Sequence, residues 1–455
     1  MNFYQFFIYS FILNLISSEI LKFPFKSRFN IQHLNKDNIM QALINNDIFT
    51  QISFGSNNQI IEMNIKLQKD STFILSDACP ENTLAKKFNQ KNSDTYEILL
   101  LNKEYYMYDF KEATYSKENI ILLLDNDKKI QVNDYKFMLA NSLWKDVEKN
   151  MGGEIGLILT NKDDIPKNTD FITQLKQKNI IDSYVFMLDY KDKYNGILYI
   201  GNYFHEFNKN FSDDDFIMTK AGNPNSNYKS WNIIIDKIIT NNYLVKNNTY
   251  MQLYYEMGII ASPDYYHDYI KTNFFKNYLN IGICQENLNY EEITILNKYH
   301  YIICDKKNFK LELFPDLIFY NKEMNFNFSL NYKDLFYEFE NKIYFLIIFP
   351  VYSLTVEYWF VGKPFFLKYK LFLDKDKKII GLYENYNDIC EEIKITISKK
   401  DNIIEIIIIV LLIIVLLGVL YYFLVIKKSR KIKASELEEK FNYIPMVKEN
   451  KILTN

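Results

Sequence analysis

The chain has 455 residues, 54 of them basic and 56 acidic, for a formal net charge of −2. So even a balance leaves no electrostatic footprint for nucleic acid, and the length allows one large domain or two lobes. Glycine is scarce, 12 residues in all, against an ordinary ~7 per cent, so asparagine is expected to take many left-handed turn positions.

Residues 1–18 have an apolar centre at 6–16 followed by Ser17 and Ser18. This is signal-peptide anatomy without the usual leading cation, and cleavage near Ser18 is expected. The segment 19–45 opens with Lys22, Lys26 and Arg28 among Phe and Pro and reads as an N-terminal strand. Gln51-Ile52-Ser53-Phe54-Gly55 and residues 60–66 flank a Ser-Asn-Asn turn, which predicts a hairpin. Residues 120–124, 184–188, 196–200 and 231–239 are further short apolar runs, rich in β-branched and aromatic residues. Helical spacing occurs at 170–180, with Phe171, Ile172, Leu175 and Ile180. It recurs at 263–279, where Pro263 stands at a helix start and Tyr266, Ile270, Phe274 and Tyr278 follow at four-residue steps. Residues 369–373 and 379–383 bracket Asp374-Lys375-Asp376-Lys377, a second hairpin pattern. Many short strands with few helices predict a mostly-β body.

Residues 403–426 are almost wholly Ile, Leu and Val, with Glu405 as the one charge. The run exceeds the ~20 residues a helix needs to cross a bilayer, and a buried core helix would keep a polar stripe. Tyr421 and Tyr422 stand near one end, and five cations fill 427–433. Positive flanks stay cytoplasmic, so 427–455 is read as the inner tail and all that precedes 403 as lying outside the cytosol. The reading is a single-pass type I membrane protein of the secretory or endolysosomal system or the cell surface. On that outer side fall three Asn-x-Ser/Thr triplets, at Asn210, Asn247 and Asn327, as candidate glycosylation sites. Cys79, Cys284, Cys304 and Cys390 would meet an oxidising compartment, where two bridges and three connectivities are open. In the tail, Tyr443-Ile444-Pro445-Met446 fits the tyrosine-x-x-hydrophobic pattern read by sorting adaptors.

Several segments resemble the pepsin-like aspartic proteases. Trp359-Phe360-Val361-Gly362-Lys363-Pro364-Phe365-Phe366-Leu367-Lys368-Tyr369 is similar to that family's Trp-x-x-Gly-Asp-x-Phe-Leu-x-x-Tyr, and 372–382 to its closing Val-Phe-Asp…Ile-Gly-Phe hairpin. Gly153-Glu154-Ile155-Gly156-Leu157 resembles Asp-Gly-Ile-Leu-Gly-Leu, and Gln51–Gly55 with Gln59 resembles Ile-Ser-Ile-Gly-Thr-Pro-x-Gln. Residues 196–201 and Trp231-Asn232-Ile233 match two further family segments, in order. The resemblance implies a mostly-β, bilobal aspartic-protease-like fold with a central cleft, to which the C-terminal transmembrane helix is added. The lobes would span 46–218 and 219–388, with a stalk at 389–402. It also implies a second-lobe disulfide between Cys284 and Cys304, and a first-lobe bridge beginning at Cys79 whose usual near neighbour is missing. Residues 21–29 then resemble the start of a pro-segment, though the strand reading is preferred.

The chemistry departs from the family. An aspartic protease holds two carboxylates that share a proton and grip a water. Counting from Gln59 puts the first at position 66, where Lys66-Leu67-Gln68 stands; Phe73-Ile74-Leu75-Ser76 and Cys79 keep the register downstream. Counting back from Pro263 puts the second at 254, in Tyr254-Tyr255-Glu256. Neither lysine nor neutral tyrosine replaces a carboxylate. Asp70 and Asp264 are the nearest substitutes, and using either loses the register. Tyr108 stands as the candidate flap tyrosine, but Asp109-Phe110-Lys111 replaces its Gly-x-Gly.

The four histidines, at positions 33, 205, 267 and 300, show no metal-ligand spacing, and neither a metal nor a cofactor is expected. His267 reads as a half-buried surface residue. The leading expectation is a catalytically inactive, membrane-anchored protein whose cleft binds a peptide or protein. Lys66 would then favour an anionic partner, unless a neighbouring acid neutralises it. The rivals are an active aspartic endopeptidase with another aspartate pair, and a structural surface protein whose cleft is filled by Tyr254, Tyr255, Phe73 and Phe110.

Overall fold

A computed structural model of the chain describes residues 20–28, 39–69, 72–80, 85–104, 110–143, 151–159, 170–222, 230–289, 298–351 and 357–386, with 418, 421, 425 and 426. The chain divides into two compact units, Met1–Glu384 and Asn385–Asn455. The signal segment 1–18, Asp70, Tyr108, Cys390, nearly all of 403–426, and Tyr443 and Met446 lie outside the described residues. Among the described residues no helix is long and apolar enough to cross a membrane.

The first unit is built from short strands. In chain order they begin with β1 (Leu21–Ser27), β2 (Ile48–Phe54), β3 (Gln59–Lys66), β4 (Phe73–Leu75), β5 (Glu97–Glu104) and β6 (Phe110–Leu123). Next come β7 (Lys129–Leu143), β8 (Gly153–Gly156), β9 (Val185–Tyr190), β10 (Asn195–Ile200) and β11 (Phe216–Lys220). The second half holds β12 (Asn232–Thr240), β13 (Tyr243–Leu253), β14 (Ile260–Ala261), β15 (Cys284–Asn289), β16 (Tyr299–Asp305), β17 (Leu317–Asn321) and β18 (Phe326–Leu330). It ends with β19 (Phe336–Phe339), β20 (Lys342–Phe345), β21 (Ile347–Pro350), β22 (Tyr358–Val361), β23 (Phe372–Asp374) and β24 (Ile379–Tyr383).

These strands form two sheets. One runs β11-β24-β23-β9-β10-β1-β2-β3-β8-β4-β7-β6-β5, and the other β18-β17-β12-β13-β22-β14-β21-β16-β20-β19 with β15 beside β16. The final hairpin, β23–β24, therefore returns to the first sheet. β9 lies between β10 and β23 and is buried at all six residues, Val185 to Tyr190, as a strand covered on both faces must be. β1 alternates instead, with Leu21, Phe23 and Phe25 inward and Lys22 and Lys26 outward, the period-two pattern of a half-covered strand. Residues 21–27 are thus a strand of the central sheet, paired to β10 and β2.

One motif occurs twice. In the first sheet β3 runs parallel to β8, β8 antiparallel to β4, and β4 parallel to β7. In the second, β13 runs parallel to β22, β22 antiparallel to β14, and β14 parallel to β21. The registers correspond as well. Ile65↔Ile155 matches Leu253↔Val361, and Phe73↔Glu154 matches Ala261↔Phe360. Lys66 and Tyr254 are the next residues along, in equivalent places. This two-lobed, mostly-β body is the architecture the resemblance implied.

The short helices are α1 (Ile39–Ile44), α2 (Phe171–Gln177), α3 (Asp264–Ile270), α4 (Tyr332–Leu335) and α5 (Lys363–Lys368). Asp170 caps α2 by accepting a hydrogen bond from Thr173 N. α3 continues through a π turn, Lys271–Phe275, into Lys276–Asn280. Two buried tryptophans fasten these parts. Trp231 Nε1 donates to Leu157 O at 2.8 Å, and Trp359 Nε1 to Tyr265 Oη at 2.7 Å. Turns follow the composition: of the described non-glycine residues with positive φ, Asn58, Asn126, Asn179, Asn241, Asn242, Asn248 and Asn325 are asparagine.

Candidate functional site at the junction of the two strand motifs

Each repeated motif ends in a loop, and the two loops meet. Lys66, the last residue of β3, points its Nζ at Asp47 Oδ1, 2.9 Å away, with both side chains largely buried. Leu67 N donates to Glu256 Oε1 at 2.9 Å, across the junction. Gln68 Nε2 donates to Leu253 O at 2.9 Å, and Gln252 Nε2 to Gln68 Oε1 at 3.3 Å. Three hydrogen bonds thus tie the 66–68 loop to the 252–256 loop.

Burial pushes the Glu256 carboxyl above the ordinary glutamate value; Lys66 pulls it back and Asp47 pushes it up. Its Oε2 is buried with no hydrogen-bond partner among the described residues, an arrangement that favours a proton on that oxygen. Lys66 is thus matched from inside the protein by Asp47, the alternative in which a neighbouring acid neutralises it. The reason is local, because the chain leaving α1 lays residues 45–47 across the second loop. Asn46 N donates to Glu256 O at 3.0 Å, and Gly258 N to Ile44 O at 2.8 Å.

Tyr254 is half-buried, its ring edge-on to Phe360 at 5.4 Å. Tyr255 points inward, fully buried, with its ring centroid 3.9 Å from that of Phe366. Burial raises its phenol well above the ordinary value. Phe73 is also buried, in a cluster with Leu75, Cys79 and Met138. Tyr255 and Phe73, which the rival reading of a filled cleft would have placed in the cleft, are core residues. Asp264 is an exposed residue in the first turn of α3.

The remaining expected residues fall elsewhere. Cys284 and Cys304 form a disulfide across β15 and β16. Cys79 is buried in the first lobe, where its carbonyl accepts from Lys87 Nζ at 2.7 Å. Asn210, Asn247 and Asn327 are all exposed. The histidines are less scattered than their spacing implied. His267 Nε2 lies 2.9 Å and His300 Nδ1 3.2 Å from Glu286 Oε1, while Lys271 Nζ lies 2.6 Å from Oε2. Pairing of β15 with β16 sets Glu286 beside His300, while α3 and the π turn after it supply His267 and Lys271. Among the described residues no group of three or more His, Cys, Asp or Glu is arranged to hold a metal ion.

Asp47 and Glu256 went unnoticed in the sequence. Glu256 stands two residues after Tyr254 and had a signal, being the one carboxylate in that loop. Asp47 had none.

No protein-family model matches the sequence, and no curated protein matches it. Among solved structures, the crystal structure of basic 7S globulin from soybean is similar with a TM-score of 0.57. The identity is 9% over 80% of this chain and 95% of that one. Taken with the twice-repeated motif, that likeness shows a divergent pepsin-like fold.

Proposed function

We propose that this chain is a catalytically inert, protease-like protein, anchored in a membrane by residues 403–426, whose cleft binds an extended peptide or a protein loop. The observation that carries the reading is the junction itself. At the two equivalent places where the motifs end stand Lys66 and Tyr254, and Lys66 is neutralised by Asp47 at 2.9 Å. Gripping a water symmetrically takes two carboxylates at equivalent positions. Here Asp47 is held by an ammonium group and Glu256 is spent on a backbone N–H, so the junction serves as a clasp between lobes. A peptide would bind by backbone pairing to strand edges, with affinity from main-chain hydrogen bonds. N-glycans at Asn210, Asn247 and Asn327 suit their exposure, and Tyr443 and Met446 would engage a sorting adaptor from the cytoplasmic tail.

The test uses the full chain in lipid nanodiscs against a library of internally quenched peptides between pH 3.5 and 7.5. No cleavage is expected at any pH, while a peptide array at neutral pH retains a subset of sequences. Turnover that disappears in Asp47→Asn or Glu256→Gln would overturn the reading and establish a rewired carboxylate pair.

A further inference from the structure

Behind the junction, a cavity of about 120 Å³ opens between α1, α4 and α5. Its apolar wall is Leu43, Phe336, Leu346, Pro364 and Leu367. Its charged lining is uneven, with Lys193, Lys333 and Lys363 against Asp334 alone. Asp334 is already committed, since its Oδ2 accepts from Lys368 Nζ at 3.0 Å and from Asn331 N at 2.9 Å. Lys363 stands where the resembled family carries the aspartate of its Gly-Asp pair. It is buried, its Nζ donates to Asn46 Oδ1 at 3.0 Å, and it lies near the rings of Tyr190 and Tyr194.

We propose that this cavity is a binding site for a small carboxylate with an apolar body, about ten non-hydrogen atoms in all, its head on Lys363 and its body against Leu43, Phe336 and Leu346. Size follows from the volume, as a water occupies ~10–15 Å³ on the same measure. Charge follows from the lining: the buried Lys363 ammonium attracts an anion far more strongly there than it would in water, and the exposed Lys193 and Lys333, which line the same cavity, add to that attraction. A dianion such as phosphate would leave the apolar wall unused. Burial, followed by repulsion from Lys193, pushes the Lys363 ammonium down to about 8, with Asp192 pulling weakly the other way. Asp192 is itself held in its turn by Tyr194 N and Asn195 N. A bound carboxylate would relieve the cost of keeping Lys363 charged. This inference stands whether or not the junction is catalytic.

The experiment is calorimetric titration of the full chain in nanodiscs with 3-phenylpropionate, with 3-phenylpropionamide as the neutral control and empty nanodiscs as the blank. The acid is expected to bind at least tenfold tighter than the amide. Lys363→Met should weaken the acid at least tenfold. Because that lysine is buried and its loss perturbs packing, the double variant Lys193→Gln/Lys333→Gln, at exposed positions, serves as the second arm, with a three- to fivefold loss expected. Equal affinity for acid and amide, no heat above the blank, or an unchanged affinity in the double variant would each overturn the proposal.

Discussion

Glu256 answers two demands with its two oxygens. Oε1 accepts from Leu67 N and holds the loops together, while Oε2 is buried without a partner. Burial and Asp47 raise its pKa and Lys66 lowers it, with the rise winning. A carboxyl whose folded pKa lies above its unfolded value binds more protons when folded. Its contribution to stability is therefore full below the unfolded value, about 4.3, and is lost as pH rises through the folded one. Glutamine in its place keeps the acceptor for Leu67 N and cannot ionise. Relative to the wild type, Glu256→Gln should gain stability as pH is raised above about 4.3 and level off once pH passes the folded value, whatever its offset at pH 4. Urea denaturation at a series of pH values reads this difference, and a flat difference would mean that Glu256 is no more costly to ionise in the fold than in water.

At the level of elements, close approach of backbones decides which glycines matter. Gly362 caps α5, and a Cβ there would meet Met257 O at 2.1 Å and Ile259 O at 2.4 Å. The second motif is closed by that contact, so Gly362→Ala should cost about 3 kcal/mol, at the upper end of overpacking. Gly282 has a φ of +74° but nothing within 4 Å of a Cβ, so Gly282→Ala should cost about 1 kcal/mol of backbone strain. Similar losses for the two, measured by chemical denaturation, would show that the α5 cap yields.

The same scale shows what the sequence disclosed. The hairpin around Ser56-Asn57-Asn58, the helices after Asp170 and Pro263, and the turn at 375–378 were legible because period and turn chemistry are local signals. The strands of 284–305 and 336–350 were not. β16 alternates irregularly and β21 is buried throughout, so neither displays a clean period-two face. The junction was half legible. Lys66 and Tyr254 followed from counting along aligned segments, but the Lys66–Asp47 pair spans 19 residues and the Lys363–Asn46 contact 317. Contacts made by topology leave no pattern in a window of neighbours.

Across the whole molecule, acid acts on two places with opposite sign. The junction gains from protonating Glu256. The second lobe loses, because burial, Lys271 and His300 hold the His267 pKa below its ordinary value against the pull of Glu286. A histidine with a depressed pKa stabilises the fold while neutral, and that contribution is lost as pH falls through its unfolded value of about 6.5. Burial would raise Glu286, but the Lys271 hydrogen bond and the nearby cations hold it low, so its contribution is lost in the same direction, below about 4.3. Between pH 7.5 and 5.5 the histidine window is crossed in the cluster around Glu286, and that of Glu286 itself lies lower. Hydrogen exchange in β15 and β16 should therefore quicken over that range, after correction for intrinsic rates, while α2 and β9 of the first lobe stay protected. His267→Gln cannot take the proton and should remove most of that acid sensitivity. If the variant loosens on acidification as much as the wild type does, the cluster around Glu286 is a passive surface network, and the acid response of the second lobe must originate elsewhere.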